Sequence, residues 1–328
     1  MLRKPIIYLS CIVLIVLIGI EVGLRLIGYK TLPVFYKVIS TPTGFIIPDS
    51  IIGYTFKEGQ YKVNLQNNFV YHATYINNGE RLNPVHCSKS NAKEIFIYGC
   101  SFFGGWGVDD SLVMSSYLQK NIPGMRVRNF AVPGHGLTTQ YLLLKEQVKK
   151  KTAPSIAVFE MASFHTKRNV AARSLLRSFP TRTDYLYTFP KAKISNNKLE
   201  FSLVPFLQKP CNLDRYFVTV ATLEAALDKR YDAGLNEAEV ESALIDSIAG
   251  FSSDHNIIPV FMCIYIDQTG ENVKKHLNSR GYFNCSASIN YFDKKYNLEP
   301  HDSHPNAIAH SMYADSIYFF LKNNNLIE

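Results

Sequence analysis

Ile6 to Ile20 is almost wholly apolar, broken only by Tyr8, Ser10, Cys11 and Gly19, and a weaker amphipathic tail follows from Glu21 to Tyr29. Together they approach the roughly 20 residues that a helix needs to cross a bilayer, so residues 1–29 are expected to form a membrane anchor. From Lys30 to Ser90 the pattern shortens to alternating stretches such as Tyr61 to Val63 and Phe69 to Tyr75, which predicts a β-rich lead-in segment over 30–90. From Asn91 onward, Glu94 to Tyr98, Met125 to Phe130, Ser155 to Glu160 and Ile257 to Ile266 are short apolar runs, the look of buried parallel strands. Between and after them, apolar residues recur at helical spacing: Leu137, Tyr141, Leu144 and Val148; Val240, Leu244, Ile248 and Phe251; and Ile308, Met312, Tyr313, Ile317 and Phe320 behind Asn306, which is placed to cap that last helix. Strand and helix in alternation predict an α/β domain over 91–328, a doubly wound, mostly parallel sheet flanked by helices. Between Asn169 and Gly234 the alternation lapses into Arg, Pro, Tyr and Phe with a turn at Asn196-Asn197. Residues 169–234 therefore read as an insertion over one sheet edge, a lid or a substrate-selecting element.

The composition removes several alternatives. With 47% hydrophobic residues, 21 Phe and 20 Tyr in 328 residues, the chain can bury a large core, which excludes disordered and disulfide-miniprotein classes. The net charge of +8 comes from scattered residues, Lys149-Lys150-Lys151 being the longest run, with no stacking or groove-reading motif beside it. No nucleic-acid partner is expected; the excess suits a membrane surface. Arg3 and Lys4 precede the apolar run, so the positive-inside rule keeps the N-terminus in the cytoplasm and sends everything after Tyr29 across the membrane. The expectation is a single-pass inner-membrane protein with its domain on the periplasmic side. A cleaved signal peptide is the competing reading, but no small-x-small site follows the run and Glu21 to Arg25 continues the helix. Beyond Cys11, five cysteines remain, Cys87, Cys100, Cys211, Cys263 and Cys285. An odd number leaves at least one unpaired, and with no CxxC or Cys/His spacing neither a metal nor a cofactor is expected. Cys263, in an apolar run, reads as a small buried hydrophobe.

Chemistry is sought where strands of an α/β sheet end. The first run ends Gly99-Cys100-Ser101-Phe102-Phe103-Gly104-Gly105-Trp106-Gly107, a serine among glycines that let a substrate approach the backbone. A nucleophile with a backbone oxyanion donor needs this setting; the plainer reading is a turn serine that starts the next helix. The second run ends Asn129-Phe130-Ala131-Val132-Pro133-Gly134, where Gly134 can offer its N–H or simply make a turn. Downstream, Asp302 and His304 open the final helix. Serine hydrolysis requires a base and a carboxylate to orient it, and a lone Asp-x-His, common in solvated loops, gains weight from coinciding with Ser101 and Gly134 at successive strand ends.

These blocks resemble a family. Gly99 to Val108 is similar to the GDS block of the SGNH/GDSL hydrolases, Asn129 to Gly134 to their glycine block, and Asp302-Ser303-His304-Pro305-Asn306 to their last block. Tyr75-Ile76-Asn77-Asn78-Gly79-Glu80-Arg81 behind a transmembrane helix is similar to the membrane-anchored, extracytoplasmic branch. The resemblance implies an SGNH-like fold and a serine esterase or O-acyltransferase. Ser101 would be its nucleophile, His304 its base and Asp302 the orienting carboxylate, with the N–H groups of Ser101 and Gly134 in the oxyanion hole. The implied substrate is an ester, such as an O-acetyl group of an envelope or exported glycan, with a membrane acyltransferase as a partner. Two positions depart from the family. Cys100 stands where the family has Asp, which removes a local hydrogen-bonding carboxylate. Phe164 stands where the third block supplies an Asn donor, leaving His165 or Ser163 as replacement. These departures motivate the alternative of a degenerate member that binds a glycan or a partner protein without turnover. A lipase acting on membrane lipids fits the anchor but lacks an acyl-groove signature. His135, His276 and His310 read as surface or helix-face histidines, Trp106 as packing over the nucleophile loop or contacting a sugar ring, and Glu160 as orienting the third block or pairing with Arg168.

Overall fold

The computed structural model describes residues 3–32, 38–65, 68–179, 187–206, 213–265, 267–287 and 289–328. Strands are β1 (Ile39–Thr41), β2 (Ile46–Asp49), β3 (Gly53–Phe56), β4 (Gly59–Asn64), β5 (Val70–Ile76), β6 (Glu80–Arg81), β7 (Glu94–Tyr98), β8 (Arg126–Asn129), β9 (Ile156–Ala162), β10 (Thr188–Ser195), β11 (Lys198–Pro205), β12 (Ile258–Tyr265) and β13 (Asn284–Ser286). Helices are α1 (Arg3–Leu26), α2 (Ser101–Gly104), α3 (Met114–Asn121), α4 (Leu137–Lys149), α5 (His165–Asn169), α6 (Arg173–Ser178), α7 (Val218–Asp232), α8 (Glu237–Asp254), α9 (Gln268–Ser279) and α10 (Ala307–Asn323).

The chain divides into two compact units, and the larger comprises residues 36–171, 184–205 and 236–328. Its sheet has the order β1-β4-β5-β6-β8-β7-β9-β12-β13. The five strands from β8 to β13 are parallel. The four apolar runs became β7, β8, β9 and β12, and the doubly wound α/β fold expected from them is present. In the parallel part the second strand in chain order lies on one side of the first and the third on the other, so the topological switch falls between β7 and β9. Ligands of such sheets bind outside the carboxyl ends at that point. Along β7, Ile95 and Ile97 join a core with Leu118 of α3 and Tyr313, Ile317 and Leu321 of α10. The next residue, Tyr98, faces the other way, with its hydroxyl on Gln147 of α4. Helices therefore cover both faces.

The lead-in is not separate from this domain. β4 and β5 pair antiparallel with alternating burial, and Arg81 of β6 pairs with Asn129 of β8, which extends the sheet across the boundary expected at residue 90. The inward residues Tyr61, Val63, Tyr71, Ala73 and Tyr75 make a second apolar cluster with Phe45 and Phe56, enough to tie the segment in place. The expected insertion is likewise split. β10 and β11 form a hairpin in this unit through the two-residue turn Asn196-Asn197, where φ is 49° and 58°, the left-handed pair a type I′ turn requires.

The smaller unit holds residues 1–35, 172–183 and 206–235. Pro5–Leu26 of α1 has a mean hydropathy of 2.6, is long and apolar enough to cross a membrane, and exposes its side chains. Arg177 of α6 binds Asp228 of α7 at 2.7 Å and Asp214, in the short turn before α7, at 3.1 Å, all three side chains being buried. Among the described cysteines none is bonded; Cys211 lies outside the described residues. Cys263 is buried, as its apolar run predicts.

Candidate active site

β7 carries the chain to Gly99, and α2 starts at once with Ser101. A Cβ on Gly99 would lie 2.3 Å from Glu160 Oε2 and 2.8 Å from Phe103 Cβ, so only glycine lets the Glu160 carboxyl pack under the turn. That carboxyl accepts the Cys100 N–H at 2.7 Å, the Phe103 N–H at 3.3 Å and the Cys100 thiol at 2.8 Å. Two of the N–H groups at the start of α2, those of Cys100 and Phe103, which no helical carbonyl can satisfy, are met from β9. The carboxylate absent from position 100 is thus supplied from Glu160.

The far end of α2 is held by Arg81. Its fully buried guanidinium donates to Gly104 O at 3.2 Å, Gly105 O at 3.3 Å and Val108 O at 2.8 Å, to His72 O at 3.1 Å, and to Asp110 Oδ1 at 2.5 Å. Gly105 closes the helix at φ 73°. Neither Arg81 nor Glu160 stood out as holding this loop on sequence grounds; the only available signal was a charged residue inside an otherwise strand-like or apolar stretch.

Ser101 Oγ lies 2.9 Å from His304 Nε2, and His304 Nδ1 is hydrogen-bonded to Asp302 Oδ1. With Nδ1 held by a carboxylate, the proton belongs on Nδ1 and the Nε2 lone pair faces the serine hydroxyl. Asp302 Oδ1 also accepts the His304 backbone N–H at 2.8 Å. Asn306 caps α10 as expected, accepting from Ile308 N at 3.0 Å and Ala309 N at 3.2 Å, while its amide donates to Lys295 O and Asn297 O. The turn that presents His304 is thereby fixed at both ends. Phe102 packs edge-on to His304, and Trp106 lies over the loop between Phe45, Tyr71 and His304.

Gly134 occupies the loop after β8 with φ 82°, a conformation that favours glycine. Asn129 positions this second block by accepting from Ala131 N at 3.0 Å and donating to Phe103 O at 2.8 Å. In the third block the two replacement donors part company. Ser163 borders the cavity at Ser101, and its hydroxyl oxygen accepts the Asp267 N–H at 3.0 Å. His165 does not border it. As the first residue of α5 it turns inward, fully buried, with Nε2 3.6 Å from Glu160 Oε1. Burial holds its imidazole well below the usual range, so it is neutral. Phe164 takes the cavity-facing place, edge-on to Phe102 and under the Arg168 guanidinium at 4.4 Å. Glu160 makes no ion pair with Arg168 among the described residues.

Cys100, Glu160 and His165 each bring a possible metal-ligand atom to within 4.8 Å of the others. Hydrogen bonds already engage both carboxyl oxygens and the thiol. Burial pushes Glu160 up to about 7, opposed by its bonds from Cys100 and the charge of Arg168; burial and the neighbouring Glu160 push Cys100 up to about 12. Of the histidines expected at the surface or on a helix face, two are buried, His310 on α10 and His135 in the loop before α4. His135 is enclosed by Tyr54 and Phe189, and His310 accepts the Met114 N–H at 3.3 Å; burial drives both down to about 3. His276 stays partly exposed against Asp246 at 3.0 Å.

The cavity over Ser101 and His304 has a volume of about 600 Å³. Phe102, Phe164, Tyr291 and Phe292 give it aromatic walls, and Thr166, Lys167, Arg168, Glu237 and Asp267 a polar rim.

No protein-family model matches the chain, and no curated protein matches it. Among solved structures, it is similar to a putative lipolytic protein of the G-D-S-L family from Desulfitobacterium hafniense, at 9% identity over 70% of this chain and 99% of that one, with a TM-score of 0.41. It is also similar to the psychrotrophic esterase EstA from Pseudoalteromonas sp., at 13% identity over 70% and 97% of the two chains, with a TM-score of 0.41. A third similarity is to the C-terminal catalytic domain of Streptococcus pneumoniae peptidoglycan O-acetyltransferase A, at 13% identity over 72% and 97%, with a TM-score of 0.34.

Proposed function

We propose that the protein is a membrane-anchored serine esterase or acyl-transfer enzyme of SGNH type. The observation that carries this is the chain from Asp302 through His304 to Ser101 Oγ at 2.9 Å, opening on a cavity. In this reading His304 Nε2 takes the hydroxyl proton as Ser101 Oγ attacks an ester carbonyl, and Asp302 stabilises the imidazolium that forms. The N–H groups of Ser101 and Gly134 receive the oxyanion, with Ser163 beside them. His304 then returns the proton to the leaving alcohol, and the acyl group passes from Ser101 to water or to a sugar hydroxyl. Aromatic walls with a rim of hydroxyl, carboxyl and basic groups suit a small acyl group on an oxygen-rich carrier, which favours O-acetylated glycan as the substrate class. With Arg3 and Lys4 held in the cytoplasm, the domain works on the periplasmic side.

A fluorophosphonate probe and a short-chain acyl ester test this on the full chain in detergent. Labelling at Ser101, lost in Ser101→Ala, together with ester turnover is expected; a chain that takes no label is not a serine hydrolase. The apolar Phe164 supports the second reading, a binding protein without turnover, and labelling without release of product would favour it.

A further inference from the structure

Within the smaller unit, α7 is fastened to the end of the apolar helix. Glu21 accepts the N–H groups of Val218 at 2.9 Å and Thr219 at 2.8 Å and the Thr219 hydroxyl at 2.8 Å. Arg25 donates to Glu21 at 2.8 Å and to Tyr216 O at 2.8 Å. The unsatisfied N–H groups that open α7 are therefore capped by a residue of α1.

This places α7 at a defined depth. The span Pro5–Leu26 has 22 residues, about 33 Å of helix, against roughly 30 Å of hydrocarbon. Glu21 lies five residues before its end, about 7 Å short of the boundary. An interfacial helix buries its apolar face about 5–10 Å into the headgroup–acyl region.

The face that α7 leaves open matches that depth. Leu223, Leu227 and Tyr231 follow one another at every fourth residue and are 63%, 43% and 64% exposed; Tyr216 and Phe217 extend the stripe at 62% and 48%. The opposite face buries Val218, Ala221 and Asp228, the last bonded to Arg173 and Arg177. A water-facing helix shows the reverse arrangement. Tyrosines at the two ends of a leucine stripe are the side chains enriched at the membrane–water boundary.

We propose that α7 lies in the plane of the bilayer surface, in the leaflet that α1 leaves, with Tyr216, Phe217, Leu223, Leu227 and Tyr231 facing phospholipid. The proposal rests on α1 spanning the membrane. The smaller unit is then a membrane-seated base rather than a flexible tether.

The test uses the full chain reconstituted into phosphatidylcholine–phosphatidylglycerol vesicles with or without brominated acyl chains, reading tryptophan emission against the parent, whose single tryptophan is Trp106. Leu227→Trp and, independently, Leu223→Trp report on α7; Val16→Trp reports on the span. Loss of the added emission in brominated vesicles at all three positions is expected. Loss at Val16 alone overturns the seating of α7 while leaving the span intact. If emission at 223 and 227 is unquenched and varies with the protein-to-lipid ratio, the face is covered by a second copy and the proposal falls. If Val16 is not quenched, the spanning reading fails and the proposal with it.

Discussion

Two acid–histidine pairs flank Ser101, and they differ in almost everything except composition. Asp302 and His304 are hydrogen-bonded side chain to side chain, the imidazole is about one-quarter exposed, and its free nitrogen meets the serine. Glu160 and His165 are both fully buried, with their side chains 3.6 Å apart. Burial keeps this histidine neutral and raises its acid partner to about 7, whereas the acid's hydrogen bonds go to the backbone and thiol of the nucleophile turn. Identity and proximity do not make a proton relay; access to the reacting atom does. Of the buried pair, Glu160 holds the turn that carries Ser101, whereas the open pair faces the serine hydroxyl itself.

If that contrast is right, the largest effects belong to the open pair. Ser101→Ala and His304→Ala should each lower ester turnover on the order of 10⁶-fold, and Asp302→Asn by about 10⁴-fold, in steady-state assays of folded variants. Full turnover in any of them breaks the assignment.

The buried pair should show itself in stability. A carboxyl raised from 4.5 to about 7 binds its proton more tightly in the fold, so its contribution is complete below about pH 4.5 and disappears as the pH rises through about 7. The difference is on the order of 3 kcal/mol. His135 and His310 act in the opposite sense, contributing above about pH 6.5 and losing that contribution toward about pH 3. In Glu160→Gln the decline in denaturation midpoint between about pH 5 and 8 should shrink while the acid-side decline stays. An unchanged alkaline limb would show that Glu160 does not titrate there.

Smaller effects sharpen the comparison at the oxyanion. Phe164→Asn introduces an amide beside the cavity and should raise turnover about tenfold, roughly 1.4 kcal/mol of barrier. His165→Gln should leave turnover within about twofold, because the ring reaches neither Ser101 nor the cavity. A tenfold loss there, with the fold intact, would return His165 to the site.

Much of this was legible in the order of residues. β7, β9 and β12 are apolar on both faces, so they appear as apolar runs, whereas β8 buries Val127 and Asn129 between Arg126 and Arg128 and shows less clearly; Ser101, Gly134, Asp302 and His304 fall just beyond strand or before helix. β13 has only three residues, too few to show a period. α7 escaped because Leu223, Leu227 and Tyr231 lie exposed while Asp228 is buried, which departs from the usual pattern. The side toward which the first turn of α5 faces decides between Phe164 and His165, and periodicity over five residues cannot fix it. Glu160 reaches Cys100 across 60 residues, through strand neighbours that become adjacent only once the sheet is assembled.

Arg81 has a practical bearing on where the chain can be cut. A fragment beginning at Asn91 would retain the serine, the histidine and the aspartate, yet lose the side chain that four backbone carbonyls and Asp110 share. Three of those carbonyls belong to the stretch from Gly104 to Val108 and the fourth to His72 of β5, so a fragment that keeps this arrangement has to start upstream of β5.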